Sequence, residues 1–295
     1  MNNNIKKRLA FSMIELVFVI AVLGIVSSLG AEIIVKIYES YITQRASYRS
    51  SIKTELAATQ IANRLAYAIP NTVIGRRSAS DSNYSTITNL PGTNYEVLQW
   101  IAYDDDSFNA FGTPAWSGLA DLDACSISKI STPGSNLGFI NNVISNLSDT
   151  GTKIANAIIL FPSEYYTGNN IDDIGYNGDI SGLHTIISAS GTDININPIS
   201  AGTTIKERYK LAWSSYAIVP QQNAKGLFDL YLKYDFQPWE GERYNGAIPS
   251  SLLIRNVSVF RFTGTSSAIR FKLCQQEEIS NGSKITTCKE KVVIR

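Results

Sequence analysis

Histidine is nearly absent from this 295-residue chain, and enzyme mechanisms that need more than one histidine are therefore excluded. The single histidine, His184, lies in the strand-like stretch GLHTIIS, so the two-histidine H-E-x-x-H motif of zinc peptidases is excluded. No G-x-S-x-G elbow, P-loop, G-x-G-x-x-G or C-x-x-C motif is present either. A triad around His184 stays open because serine and aspartate are plentiful, but no spacing favours it. We predict that the chain is not an enzyme.

The sequence also lacks a strong charge of either sign. It has 26 lysines and arginines against 25 aspartates and glutamates, for a formal net charge of +1. The pair Arg76-Arg77 is too small a patch to indicate a nucleic-acid surface, which requires a basic face or stripe. We therefore expect no direct nucleic-acid partner.

Long apolar runs are missing except for one, at Phe11–Ala31, in which the only charged residue is Glu15. At about 1.5 Å per residue this run spans roughly 31 Å, close to the ~30 Å hydrocarbon thickness of a bilayer. The leader before it, residues 1–10, carries Lys6, Lys7 and Arg8. Positive charge favours the cytoplasmic side, so the pattern predicts one membrane span with the rest of the chain exported.

No helix breaker follows Ala31, and the apolar pattern continues as far as Pro70. The spacings of three, four and seven predict an amphipathic continuation of the helix over residues 32–69, with its apolar stripe covering the chain's own sheet. Proline ends the helix because the residue before it disfavours helical dihedral angles. The predicted stripe consists of Ile34, Tyr38, Tyr41, Tyr48, Ile52, Leu56, Ile61, Leu65 and Ile69.

After Pro70 the sequence consists of short runs of strand-forming residues, separated by loops rich in Asn, Ser, Thr and Gly. Alternation is clearest in Leu227–Phe236, and Ala268–Leu273 alternates so that one face is polar, as in an antiparallel sheet covered on one side. The predicted fold class is therefore α+β, with a β-rich domain over residues 70–295. The predicted strands are Val97–Tyr103, Ala157–Phe161, Thr185–Ala189, Tyr209–Val219, Leu227–Phe236, Ser251–Phe262, Ala268–Leu273 and Lys284–Arg295.

Cysteine is scarce as well, with Cys125, Cys274 and Cys288 alone. Export makes a disulfide plausible, and Cys274 and Cys288 flank the turn-like stretch QQEEISNGSKITT. A bridge between them closes a loop of about 15 residues, worth about 3 kcal/mol on the chain-entropy scale. We predict this pairing, with Cys125 left as a buried or free thiol; three scattered cysteines do not indicate a zinc site.

The stretch KKRLAFSMIELVFVIAVLGIV resembles the class III signal of type IV pilins and type II secretion pseudopilins. That signal has a basic leader, a small residue, an aromatic residue that becomes the new amino terminus, and a glutamate four residues later in a long apolar helix. The resemblance implies that a prepilin peptidase cuts between Ala10 and Phe11 and methylates the new amine. Ala10 stands where the family usually has glycine. The resemblance further implies that Glu15 neutralises the amino terminus of an adjacent subunit during assembly.

The later stretch IPSSLLIRNVSVFRFTGTSSAIRFKLC is similar to the carboxy-terminal part of J-type minor pseudopilins and W-type minor pilins. The two resemblances imply a pilin-like fold and a minor structural subunit of a type II secretion pseudopilus or type IV pilus-like fibre, serving secretion, DNA uptake or adhesion. They imply a bacterial inner-membrane protein with a periplasmic domain, at the fibre tip after assembly. The implied partners are the lipid bilayer, the prepilin peptidase, other pilins or pseudopilins, and the inner-membrane assembly platform. The alternative is a periplasmic enzyme or binding module that uses the helix only as a tether.

Two acidic clusters provide the oxygen ligands that calcium prefers, although neither has the spacing of a calcium-loop motif. One is Asp104–Asp106 with Asn109, and the other is Asp172 and Asp173 with Asn177 and Asp179. We expect both to be solvated turns and predict no cofactor. The stretch around Trp116, FGTPAWSGLADLDAC, is expected to be a packed surface loop, with a docking loop as the alternative.

Overall fold

A computed structural model of the chain divides it into two compact units. One comprises Met1–Arg49 and Glu277–Ile285, and the other comprises Ser50–Gln276 and Thr286–Arg295. The described residues are 12–77, 83–90, 95–110, 114–162, 171–198, 205–265, 267–279 and 282–294.

Helix α1 runs without interruption over Met13–Ala66, 54 residues. It ends three residues before the predicted boundary at Ile69. The reason is that the backbone beyond Ala66 pairs with a strand: Ala68 forms a bridge with Ala102, and the Ile69 N–H donates to the carbonyl of Ile101 at 2.9 Å. A sheet partner therefore ends this helix before Pro70 does.

The second half of α1 buries a different stripe from the one predicted. Ile52 and Leu56 are exposed, as are the three tyrosines of the predicted stripe, whereas Ile61 and Leu65 are buried as expected. The buried face has small side chains at several positions where the predicted stripe has bulky ones. These small side chains let the helix backbone approach the sheet closely. The buried residues of α1 are Ser50, Thr54, Ala57, Ala58, Ile61 and Leu65.

The main sheet has eight strands in the order β13-β12-β11-β10-β9-β3-β1-β2. The pairings from β12 to β2 are antiparallel, and the buried face of α1 shares one hydrophobic core with them. Its strands are β1 (Ile74–Arg76), β2 (Tyr84–Thr86), β3 (Val97–Ala102), β9 (Ser214–Gln222), β10 (Phe228–Phe236), β11 (Ser250–Gly264), β12 (Ala268–Glu278) and β13 (Lys284–Ile294).

A second, five-stranded antiparallel sheet was not predicted. Its order is β4-β7-β6-β5-β8, and it shares a core with the 11-residue helix α3 (Leu137–Leu147). The predicted strand Tyr209–Val219 divides at Trp213, with its first part in this sheet and its second in the eight-stranded one. The short helix α2 (Asp105–Phe108) follows β3. The strands of the second sheet are β4 (Lys129–Ser131), β5 (Ile158–Leu160), β6 (His184–Ser190), β7 (Asp193–Ile196) and β8 (Lys210–Ala212).

The loop around Trp116 packs into this second core. The Trp116 side chain is 1% exposed, and its indole N–H donates to the backbone carbonyl of Asp104 at 3.0 Å. The indole also lies against the rings of Phe108 and Tyr209. Trp116 is therefore a core residue, as the packed-loop prediction required, and it is not available for docking.

A buried carboxylate near the end of β10 binds the loop that follows α3. Asp235 has a positive φ of 51° and is 1% exposed. Its carboxylate accepts hydrogen bonds from the hydroxyls of Ser148, Thr150 and Thr152 and from the backbone N–H groups of Asp149 and Thr150. Since these donors follow α3 in the chain, Asp235 fixes the α3 layer onto the eight-stranded sheet.

Candidate functional site

The first half of α1 is the most unusual surface of the described chain. Its large apolar side chains are exposed throughout, among them Phe18 at 69%, Leu23 at 64% and Ile37 at 63%. Among the described residues, α1 is the one helix that is long and apolar enough to cross a membrane. An apolar surface of this extent is unfavourable in water and is stabilised by lipid or by other apolar helices.

Glu15 is the acidic residue of the first turn of α1. Its backbone N–H donates to the carbonyl oxygen of Ser12 at 3.1 Å and to the Ser12 hydroxyl at 3.3 Å. Ser12-Met13-Ile14-Glu15 matches the S-x-x-E capping box that starts many helices, a signal that the sequence analysis missed. Ala10 and Phe11, the predicted processing residues, lie outside the described residues.

The position of Glu15 determines what its carboxylate can do. The amino-terminal end of a helix carries a partial positive charge, so a negative side chain is favoured in the first turn. In an apolar environment a carboxylate is costly unless a cation pairs with it. Within the described residues no cationic side chain forms a salt bridge with Glu15. An amine next to this turn would supply the missing charge.

The disulfide between Cys274 and Cys288 is present as predicted. It joins β12 to β13, the strand at one edge of the eight-stranded sheet. Cys125 is a free, half-buried thiol whose sulfur accepts a hydrogen bond from the Ser131 N–H at 3.3 Å. The bridge therefore fixes an edge strand that hydrogen bonding secures from one side only.

Residues 50–66 of α1 are attached to the same end of the sheet by polar contacts. The Ser50 hydroxyl donates to Gln275 of β12 at 2.7 Å. Glu55 pairs with Lys291 and, at 3.5 Å, with Lys289, both on β13. The hydrogen bond from Lys291 lowers the pKa of the Glu55 carboxyl below its usual value. Because this ion pair is partly exposed, water and salt screen it, and the buried Ser50–Gln275 contact is the stronger determinant of position.

The first acidic cluster is only in part the solvated turn that was expected, since Asp106 is exposed but Asp104 is buried. Asp104 is 2% exposed, and its Oδ1 accepts from the Ser107 N–H at 3.1 Å and from the Trp213 indole N–H at 3.3 Å. Burial raises the pKa of the Asp104 carboxyl to about 6. The prediction was wrong for Asp104 because this residue caps α2 from inside the fold, beneath Trp116 and Trp213.

The second acidic cluster is held by one contact to β2 and by one contact within its own turn. Asp172 accepts a hydrogen bond from the Tyr84 hydroxyl, and the Asn177 side chain accepts one from the Asp179 N–H at 2.8 Å. In the described part of the chain, no group of three His, Cys, Asp or Glu side chains is arranged to hold a metal ion. His184 is 4% exposed and packs edge-on against Phe161 in the second sheet, with ring centroids 5.1 Å apart.

Comparison with protein-family models, curated proteins and solved structures finds no match to this chain. The function assigned to it therefore depends on the site itself, namely the exposed apolar helix with a carboxylate in its first turn and the sheet domain that carries it.

Proposed function

We propose that this chain is a minor pilin-like, or pseudopilin, structural subunit that assembles through α1 into a type II secretion pseudopilus or a type IV pilus-like fibre. One observation carries the proposal: the exposed, apolar first half of α1 carries Glu15 in its first turn, shortly after a basic leader, Ala10 and Phe11 in the sequence. A membrane anchor needs the apolar length but gains nothing from a carboxylate at this depth. An assembly helix needs both.

In the proposed pathway α1 first lies in the inner membrane, with the sheet domain in the periplasm. Cleavage before Phe11 creates an α-amine one helical turn from Glu15. When α1 leaves the bilayer, its apolar surface is covered by the helices of other subunits. Pairing of Glu15 with the amine of a neighbouring subunit then sets the axial register, since a mispaired carboxylate in the fibre interior is costly.

In this proposal the sheet domain determines which kind of minor subunit the chain is. Its similarity to J-type and W-type minor subunits lies in the β11–β12 region, and we place it at or near the fibre tip, in contact with partner minor subunits or cargo. The prepilin peptidase and the inner-membrane assembly platform are the remaining partners. Secretion and pilus functions use the same helix mechanism, so both remain within the proposal.

Replacing Glu15 with glutamine tests the pairing step. The amide keeps the size of the side chain but removes its charge, so we expect incorporation into fibres to fall at least about tenfold, equivalent to about 1.4 kcal/mol of lost pairing free energy. The assay is co-purification with the major subunit in the sheared fibre fraction.

A matched control is Glu32→Gln, which removes an exposed carboxylate of the same helix that pairs with Lys36 at 2.7 Å. It should assemble normally, and both variants should insert into the membrane and melt like the parent protein. Normal assembly of Glu15→Gln would refute the pairing role. It would favour the tethered-module alternative.

A further inference from the structure

A small polar cavity lies beside the end of β1. Its volume is about 160 Å³. The turn at residues 175–178 and the segment 241–245 both line it. Arg76, from the end of β1, and the exposed Arg243 both line it, as does one acidic side chain, Glu242.

Arg76 is unusual because its charged side chain is buried inside the fold. The residue is 5% exposed, and three tyrosine rings surround its guanidinium: Tyr84, Tyr244 and Tyr176, with ring centroids 4.8, 5.1 and 5.8 Å from the guanidinium carbon. The rings attract the cation but are neutral, so they do not balance its charge. Burial lowers the pKa of Arg76, yet an arginine stays protonated at neutral pH.

The hydrogen bonds that Arg76 forms with described residues leave donors unused. Its Nε donates to the Gln99 side chain at 2.8 Å, and one Nη donates to the backbone carbonyl of Tyr176 at 3.2 Å. A guanidinium has five N–H donors. Within the described residues no carboxylate lies at salt-bridge distance from Arg76. Glu242, the acidic residue that lines the cavity, instead accepts a hydrogen bond from the backbone N–H of Gln237 at 2.8 Å.

The turn that contains Gly175 has a fixed shape. Gly175 has a φ of +90°, and a Cβ placed there would lie 2.8 Å from the backbone nitrogen of Trp239, so only glycine fits. Its N–H donates to the carbonyl of Asp179 at 2.7 Å, which closes the turn. The cavity is therefore formed by rigid backbone with a buried cation in its lining.

We propose that this cavity binds a compact anionic group, a carboxylate or a phosphate, with the Arg76 guanidinium as the principal donor and Arg243 at the mouth. A planar guanidinium matches the geometry of both anions and can donate two parallel hydrogen bonds to either. The two arginines outnumber the one glutamate of the lining, so an anion is favoured over a cation. The group could belong to an acidic sugar or be free phosphate.

The test is calorimetric titration of the full-length protein in detergent micelles with glucuronate, inorganic phosphate and, as the uncharged match, glucose. We expect saturable binding of at least one anion, with a Kd of about 1 mM or tighter, and none of glucose. Binding of glucuronate alone identifies a carboxylate ligand, and binding of phosphate alone identifies a phosphate ligand. No saturation by either anion at about tenfold higher concentration overturns the proposal.

Two surface variants locate the binding without disturbing the buried Arg76. Asn177→Asp keeps the oxygen that accepts from the Asp179 N–H and adds a negative charge at the cavity, so anion affinity should fall about tenfold. Arg243→Gln should also weaken binding, whereas Arg255→Gln, an exposed arginine on β11, should not. Equal affinity of all three variants and the parent protein would show that the anion binds elsewhere, and the proposal would be wrong.

Discussion

The hydroxyl of Ser50 donates a 2.7 Å hydrogen bond to the side-chain oxygen of Gln275, and both residues are buried although 225 positions separate them. The contact joins α1 to β12 where small side chains bring the helix close to the sheet. It is therefore one of the polar contacts that hold residues 50–66 of α1 on the eight-stranded sheet.

Removing the Ser50 hydroxyl should cost more stability than its size suggests. Ser50→Ala leaves the Gln275 oxygen buried without its donor, and we expect a loss of about 1–3 kcal/mol in the free energy of unfolding of the domain. The measurement is chemical denaturation of the full-length protein in micelles. The control is Ser51→Ala, which removes a hydroxyl group from the neighbouring residue. It should change the free energy of unfolding by less than about 0.5 kcal/mol.

The pair can also be replaced together. In Ser50→Ala with Gln275→Leu both polar groups are gone, so the double variant should recover much of the loss caused by Ser50→Ala. The third variant needed is Gln275→Leu alone. If the stability loss of the double variant equals the sum of the losses of the two single variants, the hydrogen bond contributes no coupling energy.

The Cys274–Cys288 bridge should stabilise chiefly the edge strand β13. Reduction, or replacement of both cysteines by alanine, is expected to lower the unfolding free energy by about 3 kcal/mol. Amide exchange should accelerate most in Lys284–Ile294, because this strand pairs on one side only. Cys125→Ser is the matched control, and a melting temperature that reductant leaves unchanged would contradict the prediction.

Asp104 should make the domain less stable as the pH rises. Its folded-state pKa is about 6 and its ordinary value is 3.8, so between these values the folded protein binds more protons than the unfolded chain. The free energy of unfolding therefore falls as the pH increases through this window, by at most about 3 kcal/mol from this group.

Asp104→Asn isolates that contribution. Asparagine keeps an oxygen for the Ser107 and Trp213 N–H groups but cannot ionise. The melting temperature of the variant should rise relative to the parent protein as the pH increases from about 4 to about 7, by about 2–4 °C per kcal/mol. A constant difference across that range would mean that Asp104 does not titrate as described.

The sequence identified the features that depend on local pattern. The alternation in Leu227–Phe236 and Ala268–Leu273 predicted β10 and the start of β12, and the apolar run after Phe11 predicted the first half of α1. The disulfide followed from two cysteines that flank a turn. These signals lie within a few neighbouring residues, so they can be read without the tertiary fold.

What the sequence did not reveal depends on contacts between distant segments. Ala57 and Ala58 are buried where bulky Ile52 and Leu56 were expected, because the face of a helix that packs is chosen by its partner. Strands β5, β6 and β8 overlap predicted strands, but their separation into a second sheet depends on pairing between distant segments. Strands β4 and β7 were missed because they have three and four residues, too few for alternation to be visible. The burial of Arg76 has no signal in the sequence because the rings around it come from Tyr84, Tyr176 and Tyr244, which only the fold brings together.

Mass spectrometry of the amino terminus, on protein purified from the membrane of its native host, tests the central claim most directly. The proposed function requires the leader to be removed, because the amine that pairs with Glu15 exists only after cleavage. We predict a mature chain that begins at N-methylated Phe11. A chain that keeps residues 1–10, or one cleaved after the apolar segment, would contradict the account.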